Sequence, residues 1–147
     1  MVDSGGGSRT SDEQLEQAYD VFVDDRGLLN LVSLEVVGDP AANTRLAELI
    51  RQDIVAILET DPDIKHRMVV DLLPLGNAGY ASRNARRTYL EISSNPQIGE
   101  FAVVGGSVTV RTLARFFIRA AGKGEHMRWF EDKEGALAWL AEAGGDG

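Results

Sequence analysis

The chain has 147 residues, 44% of them hydrophobic and 26% charged, a composition that fits one globular domain with a core of its own. It has no cysteine, which excludes disulfides and thiolate metal sites, and its apolar runs are far shorter than the roughly twenty residues needed to span a bilayer. A net charge of −8 argues against general nucleic-acid binding, since affinity for phosphate rises with local positive charge.

The opening MVDSGGGSRTSDEQ is polar and acidic and lacks the apolar segment of a signal peptide. Residues 1–14 are expected to be a flexible tail, and a cytoplasmic location is expected. Tyr19 to Val23 and Leu28 to Val37 read as two strands of an antiparallel hairpin. The turn between them is Asp24-Asp25-Arg26-Gly27, with Gly27 able to take a positive φ. Asp39-Pro40 then combines an N-cap with a proline at the first helical position. Leu46, Leu49, Ile50, Ile54, Ile57 and Leu58 follow at helical spacing, and Asp61-Pro62 stops the helix.

Arg67 to Leu73 is a short apolar strand, followed by a turn-rich loop from Pro74 to Gly79. Ser82 is a plausible cap for a second helix reaching Ile92, with Ala85, Tyr89 and Ile92 facing inward. Phe101 to Val104 is the next buried strand, and Gly105-Gly106 turns it into a third helix capped by Ser107 and running to Ala121. Met127 to Phe130 is the last strand, and Asp132 caps a final helix to about Glu142. Within that helix Trp139 is expected to cover the edge of the core with most of its ring buried. The expected fold is therefore α/β: one domain over residues 15–143, a mixed sheet of about five strands with an N-terminal antiparallel hairpin, and four helices. Residues 144–147 are expected to be a second flexible tail.

Charge is unevenly spread. Residues 1–64 carry a balance of −10, residues 65–130 one of +6, and residues 131–147 one of −4. The basic middle holds two arginine clusters. Arg83, Arg86 and Arg87 sit in the first turns of a helix, where the macrodipole disfavours cations, so an acidic partner or bound anion is one explanation. Pairing with acidic loops of the same chain is the other. Arg111, Arg115 and Arg119 recur every four residues and form a stripe beside Phe116, a second surface suited to an acidic protein or simply a solvated face.

Signals for chemistry are sparse. Gly105-Gly106-Ser107 joins a strand to a helix start and could serve as an anion turn, though a tight strand-to-helix turn with a Ser cap is the better account. Phosphate-loop, dinucleotide and nucleophile-elbow patterns are absent. His66 and His126 stand at strand entrances that could meet in space, with no carboxylate cluster at metal-ligand spacing beside them. No catalytic residue, metal or cofactor is assigned.

Several phrases carry a family likeness: the hairpin, the strand ending in Asp71-Leu72, the Ala85-Arg86 helix, FAVVGGSVTVRTLARFF from Phe101, and the closing RWFEDKEGALAWL. Over residues 17–141 the chain resembles the SpoIIAA-like, or STAS-type, domains related to bacterial anti-sigma-factor antagonists. The resemblance implies a small sheet layered with helices, and protein–protein regulation rather than catalysis. It also implies a phosphorylatable hydroxyl at the helix start after the Asp-Leu strand. Here that region reads DLLPLGNAGYASRNARR, without the usual D-[ST]-[ST]-G phrase, and Ser82 matches by position alone.

The leading expectation is thus a non-enzymatic interaction domain. It would bind an acidic protein surface through Gly76, Asn77, Gly79, Tyr80, Ser82, Arg83, Arg86 and Arg87. A homodimer remains open. The alternative is a carrier of a small lipid-like apolar ligand, held between helices and sheet by residues such as Leu113, Phe116 and Phe117. A cavity of several hundred cubic ångströms would favour the carrier; a filled core with an exposed basic patch would favour the interaction domain.

Overall fold

The computed structural model describes residues 11–76, 80–105, 111, 112, 115, 116, 119 and 126–145. Its sheet has five strands in the order β1 (Tyr19–Val23), β2 (Leu29–Ser33), β3 (His66–Asp71), β4 (Ile98–Val104) and β5 (Met127–Phe130). β1 pairs antiparallel with β2, and every later pair is parallel. The expected α/β class and mixed sheet are therefore present.

Among the described residues the helices continuous from end to end are α1 (Asp12–Glu16), α2 (Pro40–Thr60), α3 (Arg83–Ser93) and α4 (Lys133–Gly145). Arg111, Thr112, Arg115, Phe116 and Arg119, within the third helix expected from sequence, are also helical. α1 was not expected. Ser11 and Gln14 form a reciprocal capping box, with Gln14 N–H donating to Ser11 Oγ and Ser11 N–H to Gln14 Oε1. The boundary expected at residue 14 thus falls inside a helix, and Leu15 is buried beneath it. At the other end α4 runs on to Gly145, past the expected stop near Glu142 and into the expected tail.

The hairpin turn is built by Asp24. Its Oδ1 accepts from Arg26 N–H and Leu28 N–H, its Oδ2 accepts from Asn30 Nδ2, and Gly27 takes φ +79°. Burial works to raise the Asp24 carboxyl, but the Asn30 and backbone hydrogen bonds outweigh it and hold the pKa below the ordinary value. β2 ends at Ser33, four residues earlier than expected, so Leu34 and Val36 leave the sheet and are exposed.

Strand order explains where the helices lie. From β2 to β4 the chain steps in one direction, and right-handed crossovers in one direction place their helices on one face. α2 and α3 accordingly cover the face bearing Leu29, Leu31, Met68, Val70, Phe101, Val103 and Met127. Ile54 and Leu58 of α2 are each 1% exposed there; burying one such side chain contributes about 1.5–3 kcal/mol. α4 follows the last strand, makes no crossover, and covers the opposite face. It sets Ala136 and Leu140 on Leu28, Val69, Ala102 and Val104. Trp139 is partly exposed, but most of it is covered, as expected: its ring leans on Phe130 at 5.7 Å, with the Arg128 guanidinium above it at 5.9 Å.

Candidate binding site at the carboxyl edge

Loops that follow parallel strands gather at one edge of the sheet, the usual place for ligands in open α/β folds. Here the 34–38 loop, the 3-10 turn Leu73–Leu75 and the lead-in to α3 meet at that edge. Leu34, Val36, Leu73 and Tyr80 in these segments are all exposed, Tyr80 by 41%. An apolar cavity of about 130 Å³ runs inward from this edge between the sheet and α2 and α3. Its floor is Leu31, Met68, Val70, Phe101 and Val103 of the strands. Leu46 and Ile50 of α2 and Tyr89 and Ile92 of α3 form its roof. Its exposed lining residues are Glu35, Val36 and Tyr80, which places the opening between the two loops.

One side chain clasps those loops together. Asn43, in the first turn of α2 and 2% exposed, donates through Nδ2 to Val37 O at 2.9 Å and Tyr80 O at 3.3 Å. Its Oδ1 accepts from Ser82 N–H at 2.7 Å. The clasp was not anticipated from sequence. The signal was available: Asn43 falls one turn before Leu46 and Ala47 on the apolar stripe, and a polar amide there must find partners.

The polar groups inside the cavity are largely committed. The Tyr19 hydroxyl donates to Asp53 Oδ2 and the Ser93 hydroxyl to Leu90 O. Burial raises the Tyr19 phenol above its ordinary pKa, and the Asp53 carboxylate adds to the effect. Burial alone raises Tyr89. Both tyrosines line the cavity as neutral phenols.

Of the residues expected to bind a partner, Tyr80, Arg83 and Arg87 are exposed and Arg86 is half-buried, all at the start of α3. Arg86 Nη1 donates to Ala81 O at 3.0 Å. Among the described residues no carboxylate lies within ion-pair distance of any of the three arginines. The acidic N-terminal half differs. There Arg45 pairs with Asp12 and Glu48, Arg51 with Glu91, and Arg26 with Asp24. The Arg45 hydrogen bonds hold the Asp12 carboxyl below its ordinary pKa.

Gly76 is exposed at φ +56° and ends the 3-10 turn. Asn77 and Gly79 lie outside the described residues. Ser82 is corrected: it caps α3 as expected, but it is 6% exposed and takes no part in the outer surface. Its Oγ accepts from Ala85 N–H and lies 2.7 Å from Thr44 Oγ1. The hydroxyl is thus enclosed as a helix cap.

Arg111, Arg115, Phe116 and Arg119 are exposed, Phe116 by 54%, and the Arg111 guanidinium sits 5.1 Å over the Trp129 ring. Phe116 therefore does not line the cavity as the carrier expectation placed it; Leu113 and Phe117 lie outside the described residues. In the Gly105-Gly106-Ser107 turn, Gly105 is buried with its N–H donating to Phe130 O, and Gly106 and Ser107 lie outside the described residues. His66 begins β3 and His126 immediately precedes β5, with β4 between those strands; His126 lies 3.3 Å from Glu100. Asp71 faces α4, accepting from Leu73 N–H and holding Lys133 at 3.4 Å. Among the described residues no group of three His, Asp or Glu side chains could hold a metal ion, and no helix is long and apolar enough to cross a membrane.

No family model and no curated protein matches the chain. A solved structure of a protein with unknown function from Arthrobacter sp. FB24 is similar at 21% identity over 83% of this chain and 98% of that one. Its TM-score is 0.28, too low for an argument about fold or function. The resemblance to SpoIIAA-like domains therefore stands on the sequence phrases alone.

Proposed function

We propose that this chain is a binding domain that docks an acidic protein surface at the carboxyl edge of its sheet. The observation that carries the reading is the arginine cluster of α3. Three cations at the positive end of a helix dipole, with no acidic partner among the described residues, are electrostatically unfavourable in the free protein. Acidic groups on a partner would relieve that misfit, and Tyr80 and Val36 beside them supply apolar contact area. The likeness to STAS-type domains points the same way.

The test replaces Arg83, Arg86 and Arg87 together with Gln. Capture of a partner on immobilised protein, identified by mass spectrometry, should weaken in the variant. It should also weaken for the wild type as salt shortens the Debye length below about 8 Å. The melting point should hold or rise slightly, because cations leave the positive end of the helix. Unchanged capture with a lowered melting point would end this reading.

The cavity favours a second reading, a small-molecule binder. An apolar cavity of about 150 Å³ is enough for a benzene-sized guest, so 130 Å³ suits a compact apolar body and not an extended acyl chain. That is smaller than the several hundred cubic ångströms expected of a lipid carrier. Its test is calorimetric titration with small apolar compounds; absence of heat and of any rise in melting point with all of them would sink it.

A further inference from the structure

We propose that the cavity binds a small monocarboxylate with an apolar body of roughly six to eight carbons, its carboxylate resting on Arg86 at the rim. This rests on the second reading above and adds the chemical class of the ligand. The first argument is a count of polar groups. Asn43 spends its amide on Val37, Tyr80 and Ser82; Ser93 donates to Leu90, and Tyr19 to Asp53. Ser33, also on the lining, is the last residue of β2 and so stands at the carboxyl edge, not in the interior. A polar atom placed midway along a guest would meet committed groups and lose its hydration without return. The part inside must therefore be apolar, and any polar part must lie at the opening.

The second argument is what stands at that opening. Ser82, Arg86, Tyr89 and Ser93 are spaced four, three and four residues apart and share one face of α3. Tyr89 and Ser93 line the cavity, and so does Ala81, whose carbonyl accepts the Arg86 hydrogen bond. Arg86 is not itself part of the lining, but that contact ties its half-buried guanidinium to a lining residue, with one donor committed and no carboxylate within ion-pair distance among the described residues. A planar guanidinium matches a carboxylate with two parallel hydrogen bonds, and partial burial strengthens them. The acid on the lining, Glu35, is exposed and remains hydrated.

The experiment titrates the full chain with the compact acids phenylacetate and cyclohexylacetate and, as neutral-headed counterparts, 2-phenylethanol and 2-cyclohexylethanol. Calorimetry and thermal melts read the binding. The acids should bind about tenfold tighter than the alcohols, a difference of about 1.4 kcal/mol. Arg86→Gln should erase that preference while leaving alcohol binding unchanged. Leu46→Phe, which fills the cavity, should abolish binding of both classes; if it fails to fold, the Arg86→Gln comparison still decides. Equal binding of acids and alcohols to the wild type would overturn the carboxylate assignment and leave the small-molecule reading standing. Binding of none of the four would overturn both. Acid binding that survives Leu46→Phe in a folded variant would place the anion on the surface and overturn the proposal.

Discussion

The two faces of the sheet are packed by different rules. Under α4 the strands present small or compact residues, Val69, Ala102 and Val104, and the helix answers with Ala136 and Leu140, each at 0% exposure. Under α2 and α3 the residues are larger, Met68, Phe101, Leu46 and Ile50, and they leave a 130 Å³ space open at one edge. Small side chains let a helix approach until no space remains. Larger ones hold two helices off, and the Asn43 clasp fixes the gap at its open end. One face is a seal and the other a container.

The largest expected effect tests the seal. Leu140→Ala should cost about 3–5 kcal/mol in urea unfolding, whereas Leu46→Ala, already beside open space, should cost about 2 kcal/mol. Equal losses would mean that the faces are equally well packed. Next is the clasp. Asn43→Ala strands the Ser82 N–H and the Val37 and Tyr80 carbonyls, and should cost about 2–3 kcal/mol. Hydrogen exchange at the Ser82 amide should accelerate before that of the β3 strand; uniform acceleration across the chain would deny the clasp a local role. The smallest effects come from adding volume. Ala102→Val on the sealed face should cost about 1–3 kcal/mol, and Val70→Ile on the open face less than about 0.5 kcal/mol. A costly Val70→Ile would show that the cavity is closed in solution.

Much of this arrangement is legible in the sequence, because strong local signals coincide with the fold. Asp39-Pro40 opens α2, Ser82 caps α3, and β1 and β5 have the expected limits. Where reading failed, tertiary geometry overrode composition. Val36 and Val37 look like strand residues, but the chain leaves the sheet at Ser33 to reach the Asp39 cap. The short α1 was hidden in a polar stretch whose capping box carried the signal. At the site, the arginines in the first turns of α3 were visible as a conflict with the helix dipole. The cavity was not, because its volume depends on how far two helices stand from five strands, and no periodicity encodes that distance. Ser82 misled for a related reason: a serine at a helix start looks the same whether its hydroxyl faces water or, as here, Thr44.

The placement of α4 has a consequence during synthesis. The strands that form the sealed face are complete once β5 has been made, yet the helix that covers them, Lys133–Gly145, is made only afterwards. Until it emerges from the ribosome, Leu28, Val69, Ala102 and Val104 present an uncovered apolar surface. A nascent chain stalled before residue 133 would hold an assembled sheet with one sticky side, the kind of surface on which holdase chaperones act.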